Sequence, residues 1–193
     1  VNDDRKRAAT AELERRLECV ERSRGVALLG VPWDAGSSFL RGAALAPPQV
    51  RRALYSDAGN LFTERGRDLS DPVAWVDLGD LALSPGEANG DPAPESTERA
   101  IEGALGAVLD RGLLPLAVGG DHLVTLPALA AVSRAWGPVD VLVFDAHPDL
   151  YESFEGASLS HACVFARAME RGLARRLVQM GVRATNAHQR AQA

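Results

Sequence analysis

The chain has 193 residues, 46% of them hydrophobic and 24% charged, and a formal net charge of −5. That length supports one substantial core rather than two full domains, and the composition excludes a disordered or fibrous chain. The acidic balance, with no Lys/Arg run interleaved with aromatics, argues against nucleic acid or an anionic membrane surface as a partner.

Residues Val1 to Arg24 are dense in charge and lack the apolar centre of a secretory signal, while Leu13, Leu17 and Val20 form a helical stripe. No segment approaches the roughly 18 apolar residues of a membrane span. Cys19 and Cys163 lie far apart in unrelated contexts. A cytoplasmic, reduced protein is the expectation.

Gly25 to Val31 reads as a buried strand closed by Pro32, which lacks a backbone donor. A Gly/Ala/Ser/Pro-rich loop follows to Pro48, and Pro47-Pro48 opens a helix through Val50 and Leu54. Val73 to Leu78 predicts a second strand, and Leu83 to Glu95 a surface connection. Ser96 or Thr97 is the expected cap of a helix with the face Ile101, Leu105, Val108 and Leu109, ended by Gly112. Strands are expected at Leu113 to Val118, Val139 to Phe144 and Leu177 to Val182, with helices at Thr125 to Arg134 and Ser160 to Arg171. This β-α-β order predicts an α/β fold: a parallel sheet with helices on both faces and right-handed crossovers. A polar tail follows the last strand.

Chemistry concentrates at two strand ends. Asp145-Ala146-His147-Pro148-Asp149 follows the apolar run Val139 to Phe144, and Gly119-Gly120-Asp121-His122 follows Leu113 to Val118. In open α/β sheets the ligand crevice lies outside the carboxyl ends of the strands. Alternate residues of an extended strand end face one way, so Asp145, His147 and Asp149 can share a centre, with His122 as a fourth ligand. A solvated loop or helix cap also accommodates Asp-x-His-x-Asp taken alone. Its strand-end placement, the second strand end and His161 at a helix start favour a metal site. Oxygen and imidazole donors without thiolate suit Mn(II), with Co, Ni, Fe or Zn able to substitute. Asp121 is expected to orient His122 or pin its turn, and Cys163 to be core. His188 is expected in solvent, and Asp34 and Arg41 are expected to pair and so shape the first loop.

LAVGGDH, DVLVFDAHPD and SHACVFARAMERG together resemble the ureohydrolase family of arginases and agmatinases, and GVPWDAGSSFLRGAALAPPQVRRAL is similar to its amino-terminal signature. The wording around HPDLYESFEG is nearest the plant-type arginase and bacterial agmatinase branch. The resemblance implies a three-layer α/β/α fold in a single domain spanning residues 1–193, holding two Mn(II) ions that share a bridging hydroxide. It implies hydrolysis of a small guanidino substrate to urea and an amine, and a homo-oligomer for the complete protein. On that pattern His122 and Asp149 bind one ion, His147 the other, and Asp145 bridges them. His161 falls at the position of a histidine used in proton transfer or substrate contact.

Two departures qualify this. The family's later Asp-x-Asp pair and a further guanidinium-gripping carboxylate are not in this chain, whose only acids after Asp149 are Glu152, Glu155 and Glu170. The resemblance therefore covers the amino-terminal part of a family member, and the expectation is that these residues alone bind metal poorly and turn over nothing. Ala157 replaces an asparagine usual in the branch, which leaves arginine, agmatine or another guanidino compound open. The rival readings are a formimino-group hydrolase on the same scaffold and a non-catalytic metal-binding or interaction protein.

Overall fold

The computed structural model describes residues 11–20, 25–71, 75–83 and 94–193. The expected connection from Leu83 to Glu95 and the start of the second expected strand, Val73 and Ala74, lie largely outside the described residues. Residues 11–18 are helical (α1). There follow β1 (Val26–Val31), α2 (Ala46–Leu54), β2 (Trp75–Asp80), α3 (Pro94–Asp110), β3 (Leu114–Gly119) and α4 (Thr125–Trp136). The chain continues through β4 (Val139–Phe144), α5 (Val164–Glu170), β5 (Ala174–Met180) and α6 (Ala187–Gln192).

Among the described residues the five strands pair in parallel, in two ladders ordered β2-β1-β3 and β4-β5. The single continuous sheet expected from the sequence is thus divided between β3 and β4 among the described residues. Side chains of β1 alternate between two covers. Ala27, Leu29 and Val31 join a core with Leu13 and Leu17 of α1, Ile101, Leu105 and Val108 of α3, and Leu126 of α4. On the opposite face a Cβ at Gly30 would lie 2.8 Å from Pro47 of α2, so α2 forms the second helical layer there. The result is the expected three-layer α/β/α arrangement, with α4 packed between α3 and α5 and spanning the two ladders.

Several boundaries differ from expectation for local reasons. Helix α3 begins at Pro94, so Ser96 and Thr97 fall inside its first turn rather than capping it; proline at the first helical position has no donor to lose. The Ser160 to Arg171 helix enters through a 3₁₀ turn, His161–Cys163, whose cap Ser160 accepts a hydrogen bond from the Ala162 amide. Strand β5 starts three residues earlier than expected, because exposed Arg175 and Arg176 pair with Asp140 of β4 at 3.0 Å. The tail contains α6, capped by Asn186, which accepts from the Gln189 amide. The expected ends of the Gly25 and Val139 runs hold, as do the glycine stops, with Gly112 and Gly172 at φ of 72° and 65°.

Candidate metal centre

His122 opens the 3₁₀ turn His122–Val124 that follows β3. Asp121, 8% exposed, caps that turn by accepting from the Leu123 amide at 2.8 Å and also accepts from the Ser37 hydroxyl at 3.2 Å. It therefore pins the turn to the loop after β1, as a residue orienting His122 should. Burial pushes the Asp121 carboxyl up, opposed by the Leu123 and Ser37 hydrogen bonds. Gly120 is required here, since a Cβ would overlap the Trp33 carbonyl oxygen.

The Asp145–Asp149 segment is not the extended strand end that alternation assumed. The Asp145 carboxylate accepts from the His147 amide at 2.8 Å, a local turn, and Asp149 sits at φ 47°, in the left-handed region. The turn and the left-handed residue fold Asp149 back toward β3. Its backbone is held by the Phe165 amide, which donates to its carbonyl at 3.1 Å. Asp149 Oδ2 lies 2.6 Å and Asp145 Oδ2 3.9 Å from His122 Nδ1. Ligand atoms of His122, Asp145 and Asp149 all fall within 4.8 Å of one another. Three of the four expected ligands are therefore gathered about one point. His147 stands to the side, 62% exposed, with Nδ1 at 3.4 Å from the other oxygen of Asp145.

The donor set fits a cation. His122 is held edge-on by Phe165, with ring centroids 5.2 Å apart, and Asp149 is only 7% exposed, so two ligands are rigid before any ion arrives. Two adjacent carboxylates in a partly buried site also need a positive partner to offset their repulsion. Asp145 offers one oxygen to the His122–Asp149 side and one to the His147 side, the disposition a bridging carboxylate requires.

All four residues line a cavity of about 630 Å³, and His161 lines it too. His161 Nδ1 lies 2.8 Å from the Gly36 carbonyl oxygen, and its ring meets Phe154 edge-on at 5.8 Å. The rest of the wall includes Tyr151, Asn186 and Gln189, which the sequence reading did not single out. Asn186 donates to the Tyr151 hydroxyl at 2.6 Å and caps α6, so a cap asparagine ahead of an Ala/Gln/Arg run was the available signal. Cys163 is fully buried and its thiol is pushed up by burial, as a core residue. His188 is exposed but stacks on Tyr151 at 5.8 Å. Asp34 shapes the first loop by accepting from the Gly42 and Ala44 amides at 2.7 and 3.1 Å. Among the described residues, no helix is long and apolar enough to cross a membrane.

A parallel α/β/α scaffold with two carboxylates and a histidine gathered from two strand ends defines a class of metal-site α/β proteins. Residues 24–193 match the arginase family, and the chain belongs to it. It is 45% identical over 167 residues to arginase 2, chloroplastic/mitochondrial, of Arabidopsis thaliana, covering 86% of this chain and 48% of that protein. It is 34% identical over 161 residues to guanidinobutyrase of Pseudomonas aeruginosa, covering 82% of this chain and 48% of that protein. Its fold superposes on arginase from Medicago truncatula with a TM-score of 0.87 at 36% identity, covering 99% of this chain and 63% of that one. The chain spans about half the length of the curated relatives it matches.

Proposed function

We propose that the protein is a ureohydrolase that uses Mn(II) to cleave a small guanidino compound into urea and an amine. The observation that carries this reading is the meeting of His122, Asp145 and Asp149 across the ends of β3 and β4, in a chain of the arginase family. His122 and Asp149 would hold one ion, His147 a second, and Asp145 would face both. When bound, divalent cations lower the pKa of water so that a nucleophile strong enough for a guanidinium carbon exists near neutral pH.

The remaining steps belong to this chain's own residues. The carboxylates of Asp145 and Asp149 offset cationic charge, and the Asp121 cap keeps His122 aimed. His161 lies on the same cavity and is the group that moves a proton to the departing amine, since an imidazole can both hold and release one. Tyr151 and Asn186, joined by their hydrogen bond, form part of the cavity wall. Relatives named arginase and guanidinobutyrase support a linear ω-guanidino compound as the substrate class.

The test is urea release by the protein at its natural length, charged with Mn(II), from arginine, agmatine and 4-guanidinobutyrate. Turnover of one of these, abolished by chelation and by His161→Ala, is the expected result. Formamide release from a formimino substrate with no urea from any guanidine would overturn it. The 193 residues on their own are expected to bind Mn(II) weakly and release no urea, since the described ligands complete neither ion's shell.

A further inference from the structure

We propose that the carbonyl of Gly36 fixes the tautomer of His161 and thereby selects Nε2 as the nitrogen offered to the cavity. The inference rests on the hydrolase reading above and adds a positioning role for the loop after β1. A carbonyl oxygen can only accept, so its 2.8 Å contact with His161 Nδ1 places a proton on that nitrogen. The opposite neutral tautomer would set two lone pairs against each other at that distance. The same oxygen also accepts from the His161 amide at 3.1 Å, so the backbone and the ring of His161 are both referenced to one atom. With Nδ1 committed, the neutral ring keeps its free lone pair on Nε2.

What holds Gly36 is equally specific. A Cβ at this position would lie 2.9 Å from both Cβ and Cδ2 of Leu123, which is 1% exposed, and 3.1 Å from Asp121 Oδ2. The Ser37 hydroxyl, donating to Asp121, fastens the next residue to the same turn. The loop is therefore pressed against the turn that carries His122, and its carbonyl is turned toward His161. One short segment registers the residue proposed to move the proton against a residue proposed to hold the metal. In the reaction the protonated ring gives up its Nε2 proton as the C–N bond breaks. The bond's electron pair stays with the amine nitrogen, which takes that proton. His161 returns to the neutral form protonated at Nδ1, and solvent reprotonates Nε2.

The tautomer is read without metal or substrate by long-range ¹H–¹⁵N NMR of the imidazoles at a pH where they are neutral, with His161 assigned by its loss in His161→Gln. The expected wild-type spectrum shows Nδ1 protonated and Nε2 bare. Gly36→Ala, which forces the loop off Leu123, is expected to shift the ring toward the Nε2-protonated form. In the natural-length protein it should lower kcat by about 10- to 100-fold with KM little changed. Ser37→Ala, which adds no bulk at Gly36, should produce a smaller shift in the same direction. A wild-type ring protonated at Nε2, or a folded Gly36→Ala protein with an unaltered tautomer, would overturn the proposal. The wild-type spectrum decides the matter even where Gly36→Ala does not fold. Full turnover in His161→Ala would sink the hydrolase role of His161 while leaving the tautomer reading to stand or fall on its own spectrum.

Discussion

Strands β1 and β4 are written in nearly the same apolar code, VALLGV and VDVLVF, yet they are covered differently. Five of the six β1 residues are buried, because the α1/α3/α4 core closes one face and α2 the other. In β4, Val141 and Val143 pack on the helices, while Leu142 and Phe144 are 56% and 74% exposed. Their cross-strand partners on β5, Val178 and Met180, are exposed on the same side. A near-continuous apolar run in a parallel strand specifies cover on two faces. Strand β1 has both covers within the described residues, and β4 has one.

The largest effect expected from this contrast is in β1. Leu29→Ala removes a fully buried side chain and should cost about 2–5 kcal/mol in chemical denaturation. A loss under about 1 kcal/mol would mean that the β1 layer is looser than its burial indicates.

The two ladders meet functionally at the site, and the next test weighs its two sides. Asp149→Asn keeps the size and the tolerance of a left-handed backbone but removes the charge beside His122. It should weaken Mn(II) binding by about 100-fold in calorimetry, against about tenfold for His147→Ala, since His147 stands outside the three gathered ligands. Equal losses would place both residues on one ion.

A smaller effect concerns the tie between the halves. Glu98 of α3, 7% exposed, faces Arg171 ahead of β5 at 3.4 Å. Burial pushes its carboxyl up, more than the Arg171 guanidinium pulls it down. A carboxyl raised on folding contributes stability that is fully present below the ordinary glutamate range and lost as pH climbs through the raised value. Glu98→Gln should therefore flatten the decline in stability across that window. An unchanged pH profile would show that the ion pair offsets the burial completely.

The smallest expected effect is the counterpart of the first. Leu142→Ala in these 193 residues should change stability by no more than about 0.5 kcal/mol. A cost comparable with Leu29→Ala would show that the bare face of β4 is covered, and the two strands would no longer differ.

Much of this architecture is legible in the chain itself. The apolar runs bounded by Gly and Pro mark β1, β3 and β4, and the 3.6-residue spacing of Ile101, Leu105 and Val108 marks α3, because period and punctuation are local properties. The identity of the donors at the ends of β3 and β4 is legible for the same reason, with no thiol among them. Local pattern does not contain the geometry of those donors. Alternation predicted Asp145, His147 and Asp149 on one face; the left-handed Asp149 and the Asp145 turn instead gather the two carboxylates with His122 and leave His147 aside. The division of the strands into two ladders, and the approach of Gly36 to His161 across 125 positions of sequence, arise only when distant segments pack. Residue chemistry is carried by each side chain wherever it sits, whereas tautomer, ligand grouping and cover depend on which neighbour the fold brings against it.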